Sequence, residues 1–186
     1  MKNLYLDVET SGLNPLKHSI IQLSGLIEID GTVVEEFNYK IQPAAGESVS
    51  LDSLKICDVT IEDLKKYVKP EIVYKEFVTL LAKYVNKLDK QDKFFLIGYN
   101  SKFDDEFLRS FFLKNEDEYY GSWFWWPSLD VAVMAAILTK EHRHKFPNYK
   151  LSTLAEYFQI NIEGNLHDAL TDCKITMELY KKLSGE

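Results

Sequence analysis

Five residues of this chain have the types needed to cut a phosphodiester: Asp7 and Glu9 in LYLDVET, Asp104 in GYNSKFDDEFL, and His167 with Asp172 in HDALTD. Four carboxylates gathered in one place make an acidic pocket for two divalent cations, because hard cations prefer oxygen ligands. Two such cations about 3.5–4 Å apart clamp the attacking and leaving oxygens of a displacement at phosphorus. A neutral imidazole beside the pocket can take a proton from a nucleophilic water near pH 7. No two of the three segments are neighbours in sequence, so the fold must bring them together.

The elements that do so can be read from the pattern. Residues 3 to 9 alternate, with Leu4, Leu6 and Val8 on one side and Tyr5, Asp7 and Glu9 on the other, a strand carrying both acids on one face. Residues 10 to 15 form a loop, 19 to 29 and 32 to 41 two further strands, and Asp30-Gly31 a hairpin turn. The chain thus opens as a three-stranded antiparallel meander. Residues 43 to 59 read as irregular. Thr60 with Asp63 resembles a capping box, opening a short helix to about Val68. Pro70 separates it from a helix near 73 to 88, whose stripe is Val73, Phe77, Leu80, Leu81, Tyr84 and Leu88. Residues 94 to 99 form a buried strand and about 103 to 115 a helix; 119 to 127 are aromatic and irregular. Asp130 caps a helix over 131 to 140, and helices over 151 to 158 and 168 to 183 follow, the last preceded by a turn at Gly164-Asn165. No repeat, low-complexity tract or linker divides the chain, so 1–186 reads as a single domain.

Helical geometry sharpens the choice of acids. At about 100° per residue, Phe107, Leu108, Phe111 and Phe112 fall within about 80° of Asp104, which centres it in an apolar stripe and leaves Asp105 more exposed. Ile175, Thr176, Leu179 and Leu183 surround Asp172 in the same way, with Asp168 a weaker competitor about 40° off. An inward acid at a helix N-terminus either holds a cation or is stabilised by the helix dipole. Asp7 and Glu9 either bind metal or lie on a solvated strand edge. His167 precedes the last helix, where it either reaches the pocket as a base or serves as a surface or capping residue.

In order, D-x-E, N-x-x-F-D and H-x-x-x-x-D resemble the DEDDh family of 3′–5′ exonucleases, to which proofreading subunits of bacterial DNA polymerase III and ribonuclease T belong. The resemblance covers nearly the whole chain, NYKLSTLAEYF included. It implies an α/β, ribonuclease-H-like fold with a mixed five-stranded sheet flanked by helices. It implies Asp7, Glu9, Asp104 and Asp172 as ligands of two Mg²⁺ or Mn²⁺ ions and His167 as general base, releasing nucleoside 5′-monophosphates. It implies Thr10 and Leu13, with Asn100 and Phe103, as substrate contacts, although Asn100 also reads as a turn residue and Phe103 as core. The sequence departs from the family at Cys57-Asp58-Val59-Thr60, where many members carry His-Gly-Ile-Thr.

Composition narrows the setting. The net charge of −7 argues against a protein that coats nucleic acid, but not against one gripping a single-stranded 3′ end with bound cations. No apolar run approaches the roughly 18 residues of a membrane span, and no signal peptide is visible, so a cytoplasmic protein is expected. Cys57 and Cys173 read as packed, reduced thiols. A polymerase partner or a homodimer fits the resemblance, and the short tail after the last helix favours a separate nuclease. Trp123, Trp125 and Trp126 read as packing against the sheet, as a dimer contact or as stacking faces for bases, while Lys140, Arg143, Lys145 and Lys150 read as a solvated loop or a basic segment near nucleic acid, and His18, His142 and His144 as loop or surface residues. Two rival classes would use the same acids: a two-metal phosphodiesterase for small nucleotides, and a non-catalytic nucleic-acid-binding module of the same fold.

Overall fold

A computed structural model describes residues 1–161 and 168–185. The chain begins with β1 (Lys2–Thr10), β2 (Ile20–Ile29) and β3 (Thr32–Lys40), paired antiparallel. Asp30 and Gly31 join β2 to β3 with φ of 48° and 82°, the two positive values a tight hairpin turn needs. β4 (Phe95–Gly98) then pairs parallel to β1, and the two-residue β5 (Leu129–Asp130) parallel to β4. The result is a mixed five-stranded sheet in the order β3-β2-β1-β4-β5, the ribonuclease-H-like sheet expected from the motifs.

Both faces are covered by helices. Leu4, Leu6 and Val8 of β1 pack with Val73, Phe77, Leu80 and Leu81 of α3 (Pro70–Ala82) and with Phe107, Leu108 and Phe112 of α4 (Ser101–Lys114). Tyr5, on the other face, packs with Leu26 and Ile97 against α5 (Val131–Leu138), α6 (Leu151–Tyr157) and α7 (Ala169–Ser184). Each such side chain stabilises the fold by ~1.5–3 kcal/mol on full burial, so the alternation in β1 fixes which way its acids point. Asp7 and Glu9 must share the face of Tyr5, towards α7.

Several boundaries differ from the pattern. Within the stretch expected to be irregular lies α1 (Leu51–Ile56), whose cap is the Ser50 hydroxyl accepting from Ser53 N–H. Only Leu54 of its residues is buried, so it has no stripe to detect. α2 (Ile61–Leu64) has the expected capping box but ends four residues early. Val68 instead bridges Ile41, its N–H donating to Lys40 O at 3.1 Å. Pro70 begins α3 rather than merely preceding it, at a position where proline's missing N–H costs nothing. β5 and two short 3₁₀ turns, Tyr120–Ser122 and Lys140–Lys145, carry no periodic signal. The tryptophans divide: Trp123 is 1% exposed in the core, Trp125 stacks against Phe95, and Trp126 is 81% exposed. No helix among the described residues is long and apolar enough to cross a membrane.

Candidate active site

The acids meet at the C-terminal end of β1. Across the β1–β2 ladder Asp7 stands opposite Ser24 and Glu9 opposite Gln22, so this polar strip faces the start of α7. Asp172 sits in the first turn of α7. One carboxylate oxygen from each of Asp7, Glu9 and Asp172 lies within 4.8 Å of the others. Asp104 approaches from α4, on the opposite layer, and is 4% exposed. β4 stops pairing with β1 at Tyr5, leaving the Val8 N–H to donate to Asp104 Oδ1 at 3.0 Å. Asp105, as its helical phase implies, points elsewhere, to Arg109 Nε at 2.7 Å and the Tyr120 hydroxyl at 2.6 Å.

Burial holds the Asp7 carboxyl well above the usual carboxylate range, and the charges of Asp104, Asp172 and Glu9 push it further in the same direction. Burial also raises Asp104, against the lowering effect of the Val8 N–H, with the Glu9 charge adding to the rise. Buried like charges at this spacing resist being ionised together. A divalent cation removes that conflict and takes carboxylate oxygens as its natural ligands. The donor set therefore fits a hard divalent cation, which Asp7, Glu9 and Asp172 could hold together, with Asp104 tied to β1 beside them. His167, and the turn at Gly164-Asn165, lie outside the described residues.

Thr10 is 7% exposed and donates its hydroxyl to Gly12 O at 2.8 Å, shaping the loop after β1. Gly12 is required there, since a Cβ would lie 2.2 Å from His18 Cδ2. Leu13 projects from the same loop and is 80% exposed. Asn100 precedes α4 in the left-handed region (φ 62°, ψ 43°), which asparagine tolerates better than most residues. Its N–H is fixed by Asp130 Oδ1 at 3.1 Å, the same oxygen that caps α5. Phe103 is half-buried, its ring 4.8 Å from that of Phe107.

Two supporting groups had little or no signal in the sequence. The Cys57 thiol donates to Glu9 Oε2 at 2.9 Å; burial, then this bond, pushes its pKa up to about 12. Asp168 is the N-cap of α7, accepting from Thr171 N–H at 3.2 Å, while its other oxygen accepts from Gln22 Nε2 at 2.9 Å and lies 3.9 Å from Lys40 Nζ. The buried Gln22 also donates to Asn38 Oδ1 at 3.0 Å. Gln22 and Ser24 interrupt an apolar strand at a spacing of two, and that was the one available hint of a polar strip beneath α7.

Comparison with known proteins agrees with this geometry. The RNase_T family model, described as exonuclease, matches residues 4–180. The chain is 29% identical over 181 residues to the DNA polymerase III PolC-type of Latilactobacillus sakei subsp. sakei (strain 23K), covering 97% of this chain and 11% of that protein. It is 27% identical over 194 residues to the DNA polymerase III subunit epsilon of Rickettsia prowazekii (strain Madrid E), covering 100% of this chain and 75% of that one. E. coli exonuclease I in complex with a dT13 oligonucleotide has the same fold, with a TM-score of 0.77 at 21% identity over 97% of this chain and 41% of that one. The chain thus corresponds to a small part of the PolC-type proteins and about two-fifths of exonuclease I. With a family model spanning nearly all of it and a fold to match, the chain belongs to the exonuclease family, in its DnaQ-like, ribonuclease-H-like form.

Proposed function

We propose that this chain removes nucleotides one at a time from the 3′ end of a single strand, releasing nucleoside 5′-monophosphates, with two Mg²⁺ or Mn²⁺ ions held by Asp7, Glu9, Asp104 and Asp172. The observation that carries this reading is the convergence of three carboxylates within 4.8 Å, one of them made to resist ionisation by burial and then by its neighbours' charges. Bound there, the cations supply a water acidic enough to lose its proton near neutral pH and positive charge for the departing 3′ oxygen.

The chain's own residues do the rest. Asp7 and Asp104 keep a fixed relation because Asp104 is tied to the β1 backbone beside Asp7. Asp172 completes the set from α7. His167, one residue ahead of the Asp168 cap, takes the proton from the attacking water; this role rests on the motif. The exposed Leu13 offers an apolar face to the last base, as does the half-buried Phe103 that directly precedes Asp104 on α4. Thr10 shapes the loop that carries Leu13, and Asn100 the turn into α4, which carries Phe103.

DNA is the substrate we infer, since the relatives named above are DNA polymerase III proteins and the exonuclease I structure holds dT13. Association with a polymerase is supported by those same names, and action as a separate nuclease by exonuclease I. The test is digestion of 5′-labelled single-stranded DNA and RNA with Mg²⁺ or Mn²⁺. A ladder shortening from the 3′ end, lost with EDTA and in Asp7→Ala and His167→Ala, is the expected result. Failure of folded, metal-loaded protein to cut either polymer overturns the reading in favour of small nucleotides or binding alone.

A further inference from the structure

A net charge of −7 and a carboxylate-lined pocket repel a polyanionic strand, so attraction must come from elsewhere on the molecule. Residues 140–150 hold Lys140, Arg143, Lys145 and Lys150, with His142 and His144 and a single acid, Glu141. All seven side chains are exposed on or just beyond the 3₁₀ turn Lys140–Lys145. Among the described residues none of the four cations pairs with a carboxylate, whereas Lys2, Lys83, Lys114, Lys174 and Lys181 each do.

The segment is also held in place, unlike a loose loop. Arg143 donates to Phe146 O at 2.7 Å, and its guanidinium lies 4.8 Å from the Tyr149 ring centroid. Tyr149 is fixed at both ends: its hydroxyl meets Thr139 Oγ1 at 2.6 Å, and its carbonyl accepts from the Tyr99 hydroxyl. Tyr99 directly follows β4, which runs parallel to β1, so the anchor begins at the same end of the sheet as the acids. The segment runs from α5 to α6, in the helical layer covering the face to which Asp7 and Glu9 point.

We propose that residues 140–150 are a phosphate-docking track for the part of the strand upstream of its 3′ end. The assignment rests on the exonuclease reading for its ligand. Lys140, Lys145 and Lys150 supply mobile charges, and Arg143, braced on Tyr149, a fixed one.

The variant K140A/K145A/K150A tests this, since it removes three exposed side chains and leaves Arg143 on its tyrosine. In an Asp7→Ala background, where nothing is cleaved, binding of a fluorescein-labelled oligothymidylate is followed by anisotropy; its length is about 20 nucleotides, beyond the ~4–16 a single-strand site spans. The expected result is an affinity weakened on the order of tenfold at low salt, with the slope of log affinity against log salt flatter by about 2, at ~0.7 per phosphate contact. With Asp7 restored, turnover of the p-nitrophenyl ester of thymidine 5′-monophosphate, too short to reach the track, stays at the parent rate. Unchanged affinity and slope overturn the proposal, and so does an equal loss on the short ester. If the parent chain cuts no oligonucleotide, the exonuclease reading fails by itself, while the anisotropy comparison still decides the track.

Discussion

Asp7 bears more electrostatic strain than its neighbours on β1 or α7 could relieve, since the charges that weigh on it are all carboxylates. Asp7→Asn should therefore raise the melting temperature of metal-free protein while reducing turnover by more than the ~10–100-fold typical of changes outside the ligand set. A melting temperature that falls in EDTA would show that Asp7 is structurally paired instead. Cys57 permits a second test at this scale. With its pKa pushed up to about 12, almost no thiolate exists at pH 8, so alkylation at Cys57 should be slow despite partial exposure. Glu9→Gln, which weakens the contribution of Glu9 to that shift, should speed it, as read by peptide mapping. Asp7, Glu9, Asp104 and Asp172 were legible because an acid inside an apolar stripe or face stands out in a one-dimensional pattern. The thiol–Glu9 contact was not, because its partners are 48 residues apart and no local pattern links the two positions.

At the level of elements, the N-terminus of α7 is latched to the sheet by Asp168, which caps the helix with one oxygen and reaches Gln22 with the other. Asp168→Ala should cost about 0.5–2 kcal/mol through the lost cap, and should also weaken Mn²⁺ binding about 10–100-fold by releasing the turn that presents Asp172. Asp168→Asn, which retains a capping oxygen, should recover most of the stability. Calorimetric titration with Mn²⁺ beside thermal unfolding separates the two effects, and unchanged metal affinity in Asp168→Ala would dismiss the latch as mere stabilisation. The long elements were legible here, with β1 to β3, α4 and α7 within a few residues of their true ends. α1 was hidden because a six-residue helix burying one leucine leaves no period, and the end of α2 because Val68 gains more by bridging Ile41 than by extending a helix. Asp168 looked like a weaker rival to Asp172, although a cap is the usual role of an acid just ahead of a helix.

For the molecule as a whole, the raised carboxyls make stability depend on pH. A folded-state value above the unfolded one means the native protein binds more protons, so this contribution is full below the unfolded carboxylate pKa of about 3.9 and is lost as pH rises through the folded value. Metal-free protein should therefore lose stability from about pH 4 upward through the elevated Asp7 and Asp104 values. Saturating Mn²⁺ should abolish that loss near neutrality. Melting curves against pH in EDTA and in Mn²⁺ check this, and parallel curves would mean that the acids do not meet in the metal. Fold class was legible at this scale through the motifs, but strand order was not fully so. β5 is two residues long and pairs in parallel with β4, a non-local contact that no turn signal announces.

The site draws Asp7 from the first strand and Asp172 from the last helix, with Asp104 between them in the opposite layer. Folding during synthesis proceeds from the N-terminus, so strands and most helices can form while the cation set is still incomplete. On the proposed reading, the set of acids is complete only after residue 172 has emerged and α7 has docked. A chain made only as far as α6 would lack Asp172 and with it part of the proposed cation site, because the order of the residues along the polypeptide itself delays completion of that site.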